Sequence, residues 1–538
     1  MKSRISRILQ SSALSLFLLF SSFFYLTNAG DSKIGDESLM IEVARKIAER
    51  GEIGFPEDEI TSIAYWEDFA AKGPDGYYYL KWGLGQSLVE VPFLLLHRSV
   101  WKMLGPENSA DSRTQFSLSQ FLFLILCPST ISALGCVIFY WFALGLGYTN
   151  RISVLLTLLY GLGTMVWPYS KSFMSETTLN VAILGSVYGA VEYTRGRRAF
   201  WLIVSGTCIG FALITKPTSL VVLPVLLGYV LANVNWKKSV PAVLGWLLPP
   251  FMVFLGVQAL HNLIRYGKFL ETGYDAGWGV LGFCTPLLVG LWGLLASPGK
   301  GFFFYAPVTL LGVLYLLPFV RRRKKESLLF MGIAMLFLVL HARWCLWAGD
   351  WAWGPRFLLV LTPFLVLPCG VAFERWAQLT RVKRFIVLGL LVVSIGIQFL
   401  GVSVHPFSFI ETRGKVVDQL LSPEMPVLSY KRSYSEGALT QFSPLFSHIY
   451  GNWWLFKHMI FPYNLWSDAP WRALGHFDLE PPLWVIGNRT IPFWWPVGLP
   501  MFSRETEAWV YPAAVVTFLL TVWGGIRVWR TLETNGRR

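Results

Sequence analysis

Unbroken apolar runs of about 17 to 23 residues, separated by short basic stretches and a few longer polar segments, recur from one end of the chain to the other. They lie approximately at 8–26, 121–143, 151–167, 177–195, 199–215, 218–235, 239–260, 303–320, 327–346, 356–374, 384–402 and 511–528. This pattern predicts about twelve membrane-spanning helices. The runs are continuous Leu, Val, Phe and Gly stretches without alternating polarity, so an all-α polytopic membrane protein is expected and a β-barrel is not. Two further apolar pieces, "SLVEVPFLLLHRSVW" and "GVLGFCTPLLVGLWGLLA", break the alternation of loops if counted as spans. They read as helices lying on the membrane or re-entering it.

Basic residues fix the expected orientation. Lys2, Arg4 and Arg7, Arg195 to Arg198, Lys237 and Lys238, Arg321 to Lys325, Arg381 to Arg384 and Arg527 to Arg538 all fall on one side, which reads as cytoplasmic, with both termini there. The other side then carries segments 27–120, 261–302 and 403–510, with short turns at Lys171 to Glu176, at Lys216 and from Trp347 to Pro355. The expected organisation is a transmembrane catalytic module over 1–402 with its first outer loop at 27–120, an extracytoplasmic aromatic-rich segment at 403–510, and a last span with a cytoplasmic tail at 511–538. Sequences such as "GNWWLFKHMIFPYNLW" and "IPFWWPVGLP" suit a small aromatic cap at the membrane interface. The start, "MKSRISR" with an apolar run and then "TNAG", fits both a cleaved signal peptide and a signal anchor, and the retained span is preferred. The expected location is a bacterial inner or plasma membrane.

Composition agrees: 54% of residues are hydrophobic, 16% aromatic and only 14% charged. The formal charge of +14 reports topology and implies no nucleic-acid partner, because Lys and Arg collect beside the spans. Cys127, Cys136, Cys208, Cys284, Cys345 and Cys369 lie in or beside apolar runs without CxxC spacing and read as packing residues, with no disulfide framework. His97, His261, His341, His405, His448, His458 and His476 show no paired metal-ligand spacing, so no structural metal is expected. Away from their ends the spans hold no Asp, Glu, Lys or Arg, which ion-coupled transporters generally need at mid-membrane. Any chemistry is therefore expected at the outer face.

Directly after the first span comes "GDESLMIEVARKIAERGEIGF", Gly35 to Phe55. Asp36 and Glu37 precede a predicted helix with Leu39, Val43 and Ile47 on one face, Glu42, Arg45, Lys46 and Glu49 elsewhere, and Gly51 closing it. Two roles fit Asp36: a helix N-cap, and a carboxylate that works on a substrate.

Further on stand "GPDGYYYLKWGLGQSLVEVPFLLL", "WPYSKSFMSETTLN", "NLIRYGKFLETGY", "LASPGKGFFFYAPV" and "WCLWAGDWAWGPRFLLVLTPF". Taken in order over residues 8–375, these motifs resemble the GT-C superfamily of integral-membrane glycosyltransferases. They come close to its protein O-mannosyltransferase, aminoarabinose transferase and rhizobial lipopolysaccharide galacturonosyltransferase types. The resemblance implies an outward-looking enzyme that takes a sugar from a polyprenyl phosphate or diphosphate carrier. It also implies an acidic residue or pair in the first outer loop, the place of Asp36 and Glu37, and a second acidic residue in the next, which Glu176 of "MSET" matches. The chain departs most from the shared pattern after residue 403, so the resemblance leaves the acceptor open.

Transfer to a hydroxyl needs a base near the acceptor proton and compensation for charge on the departing phosphate. Asp36 is the expected base, with Glu37 and Glu176 orienting the acceptor or a metal. Arg356 of "WGPRF" fits a bidentate phosphate ligand and equally an interfacial snorkelling cation. Lys300 of "SPGKG" sits between glycines that would let a phosphate approach the backbone. Lys81, Lys171, Lys216, Arg265 and Arg343 are expected outside or at outer span ends, as surface cations or phosphate ligands. Tyr77, Tyr78, Tyr79, Trp82, Trp347, Trp351 and Trp353 suit sugar stacking or an interfacial aromatic belt. No cofactor is required by the sequence, and a divalent cation bridging carboxylate and phosphate is compatible with it. The expected partners are a polyprenyl-phosphate sugar donor, a glycan, lipid or protein acceptor, and membrane lipids, with inversion by direct displacement. The rival readings are a lipid-linked sugar flippase or other transporter, and a non-catalytic envelope-assembly protein. A transporter would want polar groups through the membrane and two related halves, and the sequence shows neither.

Overall fold

A computed structural model of the chain describes residues 2–28, 35–61, 69–104, 124–273, 282–349, 352–404, 409, 440–460 and 504–534. The first half runs α1 (Lys2–Leu26), α2 (Gly35–Arg50), α3 (Glu57–Ile60), an antiparallel hairpin of β1 (Ala70–Lys72) and β2 (Tyr78–Leu80), α4 (Leu84–Leu104), α5 (Leu126–Gly145), α6 (Asn150–Leu162), α7 (Val166–Tyr169), α8 (Ser175–Gly196), α9 (Ala199–Thr215) and α10 (Val222–Asn233). The second half holds α11 (Trp236–Tyr266), α12 (Leu287–Ala296), α13 (Phe302–Tyr305), α14 (Val308–Leu314), α15 (Leu316–Arg322), α16 (Lys324–Arg343), α17 (Arg356–Glu374), α18 (Arg381–Ser403), α19 (His448–Ile460) and α20 (Arg504–Thr534). Most of the predicted 403–510 segment lies outside the described residues.

Among the described residues, six helices are long and apolar enough to cross a membrane: α5, α11, α16, α17, α18 and the Pro512–Glu533 part of α20. The architecture is that of an all-helical polytopic membrane protein. Each predicted span has helix over its described part, but several are shorter or broken. Proline is the cause in two of them. Pro307 separates α13 from α14, and α17 passes through 3-10 turns at Arg356–Leu361 and Leu367–Cys369, beside Pro363 and Pro368. The two pieces expected to lie on or re-enter the membrane contain α4, which is not among the six, and α12, whose 10 residues are too few to cross.

Helix α1 packs against α5 and α20, α8 lies between α5 and α9, and α9 packs on α11. Across the α8–α9 contact Ser186 and Ser205 each donate to the other's main-chain carbonyl at 2.9 Å, the kind of polar link that joins helices where water is absent. Ion pairs between Arg195 and Glu326 (3.3 Å) and between Arg322 and Glu374 gather the basic ends of α8, α15, α16 and α17. The starts of α8 and α17 and the end of α9 therefore meet at the opposite end of the bundle.

The predicted helix after the first span is α2, with Leu39 and Val43 buried against Phe55, Ile60 and the hairpin residues Tyr78 and Leu80. Gly51, at φ +71°, closes it as expected. Asp36 is the second residue of the helix, in its first turn, and not the N-cap. The hairpin is fastened to α11 by Arg265, which donates to the carbonyls of Leu80 (2.7 Å) and Trp82 (3.1 Å) and to Asn262 (3.0 Å).

The cysteine expectation needs one correction. Cys284 and Cys345 form a disulfide that ties the segment before α12 to the residues after α16. Their separation of 61 residues hides the pair from any spacing rule. Cys127, Cys136, Cys208 and Cys369 are free thiols.

Candidate active site

Helices α8 and α9 are joined by a tight turn at their basic ends, so Glu176 at the start of one and Lys216 just after the other are brought together. Lys216 Nζ donates to Glu176 Oε1 at 2.7 Å, and Arg356 Nε lies 3.6 Å from the same oxygen. Arg356 Nη1 reaches on to Asp36 Oδ2 at 3.6 Å. The result is a row of alternating charge: Asp36, Arg356, Glu176, Lys216. Glu176 is 3% exposed and Asp36 24%, so the row runs from buried to accessible.

Burial alone would raise the pKa of Glu176, but the charges of Lys216 and Arg356 outweigh it and hold the carboxyl at about 2. Burial pushes Lys216 downward, against the pull of Glu176. Both cations also lie over the ring of Phe357, Lys216 at 4.3 Å and Arg356 at 5.2 Å, and His341 stacks on that ring at 4.8 Å. Gly349 shapes the approach to Arg356. Its φ of +68° suits glycine, and a Cβ there would stand 2.7 Å from Arg356 Cγ.

Glu37, the next residue of α2, is 4% exposed and accepts a hydrogen bond from Ser172 Oγ. The same hydroxyl accepts from the Met174 amide (3.2 Å), and Arg356 Nη1 donates to Met174 Sδ at 3.3 Å. Next in the turn, Lys171 Nζ donates to the Val402 carbonyl at the end of α18 (3.2 Å). Burial lowers the Lys171 pKa to about 8, opposed by the Glu37 charge.

Of the expected site residues, Asp36, Glu37, Lys171, Glu176 and Arg356 converge. Lys300 does not offer an open cradle: it is buried and donates to the carbonyls of Ala352 and of Gly354 (3.3 Å), bracing the segment that leads to Arg356. Lys81 lies over the rings of Phe69 (5.0 Å) and Trp82 (5.6 Å) beside the hairpin. Arg343 is exposed and donates to the Phe283 carbonyl at 3.2 Å. Tyr78 is buried in β2 and bridged to Phe55, apart from the charged row. Trp347 packs on Phe442, and Trp353 is wedged between Tyr305 and His448. Trp351 lies outside the described residues.

Arg265 and Lys216 are not surface cations. Arg265 is a buried hairpin anchor, and Lys216 is a full member of the cluster. The signal for Lys216 was its place at the end of an apolar run with Pro217 next, which fixes an ammonium at a helix end. Among the described residues no group of three or more His, Cys, Asp or Glu side chains is placed to hold a metal ion. Glu176, the most buried carboxylate of the row, already faces two cations.

No protein-family model matches the chain, and no curated protein sequence is significantly similar to it. Among solved structures it is similar to ArnT from Cupriavidus metallidurans in the apo state, at 15% identity and a TM-score of 0.46, covering 85% of this chain and 80% of that one. It is also similar to the same protein bound to undecaprenyl phosphate, at 14% identity and a TM-score of 0.43, covering 99% and 78%.

Proposed function

We propose that the chain is a membrane glycosyltransferase of GT-C type that moves a sugar from a polyprenyl-phosphate-linked donor to an acceptor hydroxyl at the extracytoplasmic face. The observation that carries this reading is the row Asp36, Arg356, Glu176, Lys216 at the helix ends opposite the basic clusters. It supplies a base for the acceptor and cations for a phosphate in one half-buried site.

In this reading Arg356 exchanges part of its hold on Asp36 for the carrier phosphate. Asp36, released and the most exposed carboxylate of the row, takes the acceptor proton as the acceptor oxygen bonds to the anomeric carbon. The bond from that carbon to the phosphate oxygen breaks, and its electron pair leaves on the phosphate, which Arg356 and Lys171 stabilise. Inversion follows from a single displacement. Glu176 keeps Lys216 and Arg356 in place, and Glu37 with Ser172 fixes the turn opposite. The acceptor is a glycan, lipid or protein hydroxyl.

Purified protein in nanodiscs, offered a panel of radiolabelled polyprenyl-phosphate sugars with lipid and glycan acceptors, tests the reading. Transfer from one donor is expected. Movement of the carrier across liposomes with no transfer from any donor would overturn it in favour of a flippase.

A further inference from the structure

One buried carboxyl is left unused by the scheme above. Glu90 on α4 has no solvent exposure; its Oε1 accepts from Gln86 Nε2 at 2.7 Å, and its Oε2 makes no hydrogen bond among the described residues. Gln86 in turn accepts from Thr178 Oγ1 at 2.7 Å, two positions along α8 from Glu176. On the same stretch of α4, Ser87 Oγ donates to the Met40 carbonyl of α2 at 2.8 Å. Gly83 and Gly85, at the start of α4, lie so close to the backbone of Ile214 and Thr215 that neither has room for a Cβ. Helix α4 is thus fastened to each element that carries Asp36, Glu37, Glu176 or Lys216.

Among the described residues, the titratable groups around Glu90 are Glu37 from α2 and Cys127 from α5. From α8 it meets Thr178 through Gln86, and the end of α9 meets α4 with backbone. No cation pairs with it among the described residues. An ionised Glu90 would add a second negative charge beside Glu37, with one amide to solvate it, which is the costly arrangement for a buried carboxylate.

We propose that Glu90 is a positioning residue: a neutral carboxylic acid behind Glu37 that keeps this carboxyl pair at a single negative charge, and so holds Glu37 on Ser172 and the first turn of α2 beside Arg356. Its part in transfer rests on the function proposed above; its protonation does not. Burial, and then the Glu37 charge, push the Glu90 pKa well above the ordinary carboxylate range, in keeping with the geometry. As pH rises through that raised value the second charge appears and α2 is driven from its place.

Infrared spectra of the full chain in nanodiscs at pH 7, wild type minus Glu90→Gln, read the protonation without any turnover. The difference should show loss of the carbonyl stretch of a protonated carboxylic acid; loss of a carboxylate band would overturn the proposal. Should Glu90→Gln fail to assemble, the wild type alone decides, because absence of any protonated-acid band at pH 7 contradicts it. In the transfer assay, Glu90→Ala should lose tenfold or more, and Glu90→Gln, neutral at every pH, should recover most of that loss and outlast wild type as pH rises. Lys171 titrates in all three proteins and cancels from the comparison. Equal losses in the Gln and Ala variants at every pH would overturn the positioning role, and a wild type without transfer would bear only on the function proposed above.

Discussion

Lys216 Nζ and Glu176 Oε1 stand 2.7 Å apart at the meeting of two helix ends, with Glu176 almost wholly buried. Removing the ammonium leaves a buried carboxylate that, among the described residues, has Arg356 at 3.6 Å as its remaining cation. Lys216→Met should therefore destabilise the protein by about 3 kcal/mol, as expected when one partner of a buried pair is deleted. Denaturant unfolding in detergent measures this. The double variant Lys216→Met, Glu176→Gln should recover part of the loss, since it leaves no uncompensated charge.

The same pair predicts an acid limb of stability. Glu176 is held at about 2 in the folded protein, chiefly because Lys216 and Arg356 outweigh its burial, whereas an unfolded glutamate titrates near ~4.3. The folded pKa is depressed, so the stabilisation is full above the unfolded value and is lost as pH falls from about 4 toward 2. Thermal unfolding across that window should show a steeper fall for wild type than for Glu176→Gln. Parallel curves would contradict the assignment.

Arg356 spans both carboxylates, and its planar fork suits a phosphate better than a lysine would. Under the proposed function, Arg356→Lys should weaken binding of the polyprenyl-phosphate carrier by about tenfold to a hundredfold, the worth of one or two charge-assisted hydrogen bonds. Titration of the carrier into nanodisc-held protein checks it. Unchanged affinity would remove Arg356 from the proposed phosphate site.

The Cys284–Cys345 disulfide gives a prediction independent of function. Both residues should resist maleimide until reduced. Replacing either by Ser should cost about 2–4 kcal/mol, the usual range for a bond closing a long loop. Labelling of both before reduction would contradict the pairing.

Much of this arrangement was legible in the chain. The apolar runs mark the helices because a span must satisfy its backbone internally, and Gly51 marks the end of α2 because its left-handed turn favours glycine. Asp36, Glu37, Glu176, Lys171 and Arg356 were visible as polar residues at span ends, and they converge. Pairings across long separations were not legible. Lys216 meets Glu176 only because α8 and α9 are antiparallel neighbours, Cys284 meets Cys345 across 61 residues, and Arg265 holds a hairpin some 185 positions away. The surroundings of Tyr78 and Lys300 are not legible for a related reason. An aromatic run and a glycine-flanked lysine look the same in sequence whether they face a ligand or the protein's own carbonyls.

In the proposed scheme Asp36 takes the acceptor proton. Single-turnover transfer from the active polyprenyl-phosphate sugar, wild type against Asp36→Asn, tests it, with binding of the same carrier followed in parallel. Loss of transfer by at least about a hundredfold, the lower range for a general base, with carrier binding within a few-fold of wild type, is the predicted result. Transfer by Asp36→Asn at the wild-type rate would contradict the account.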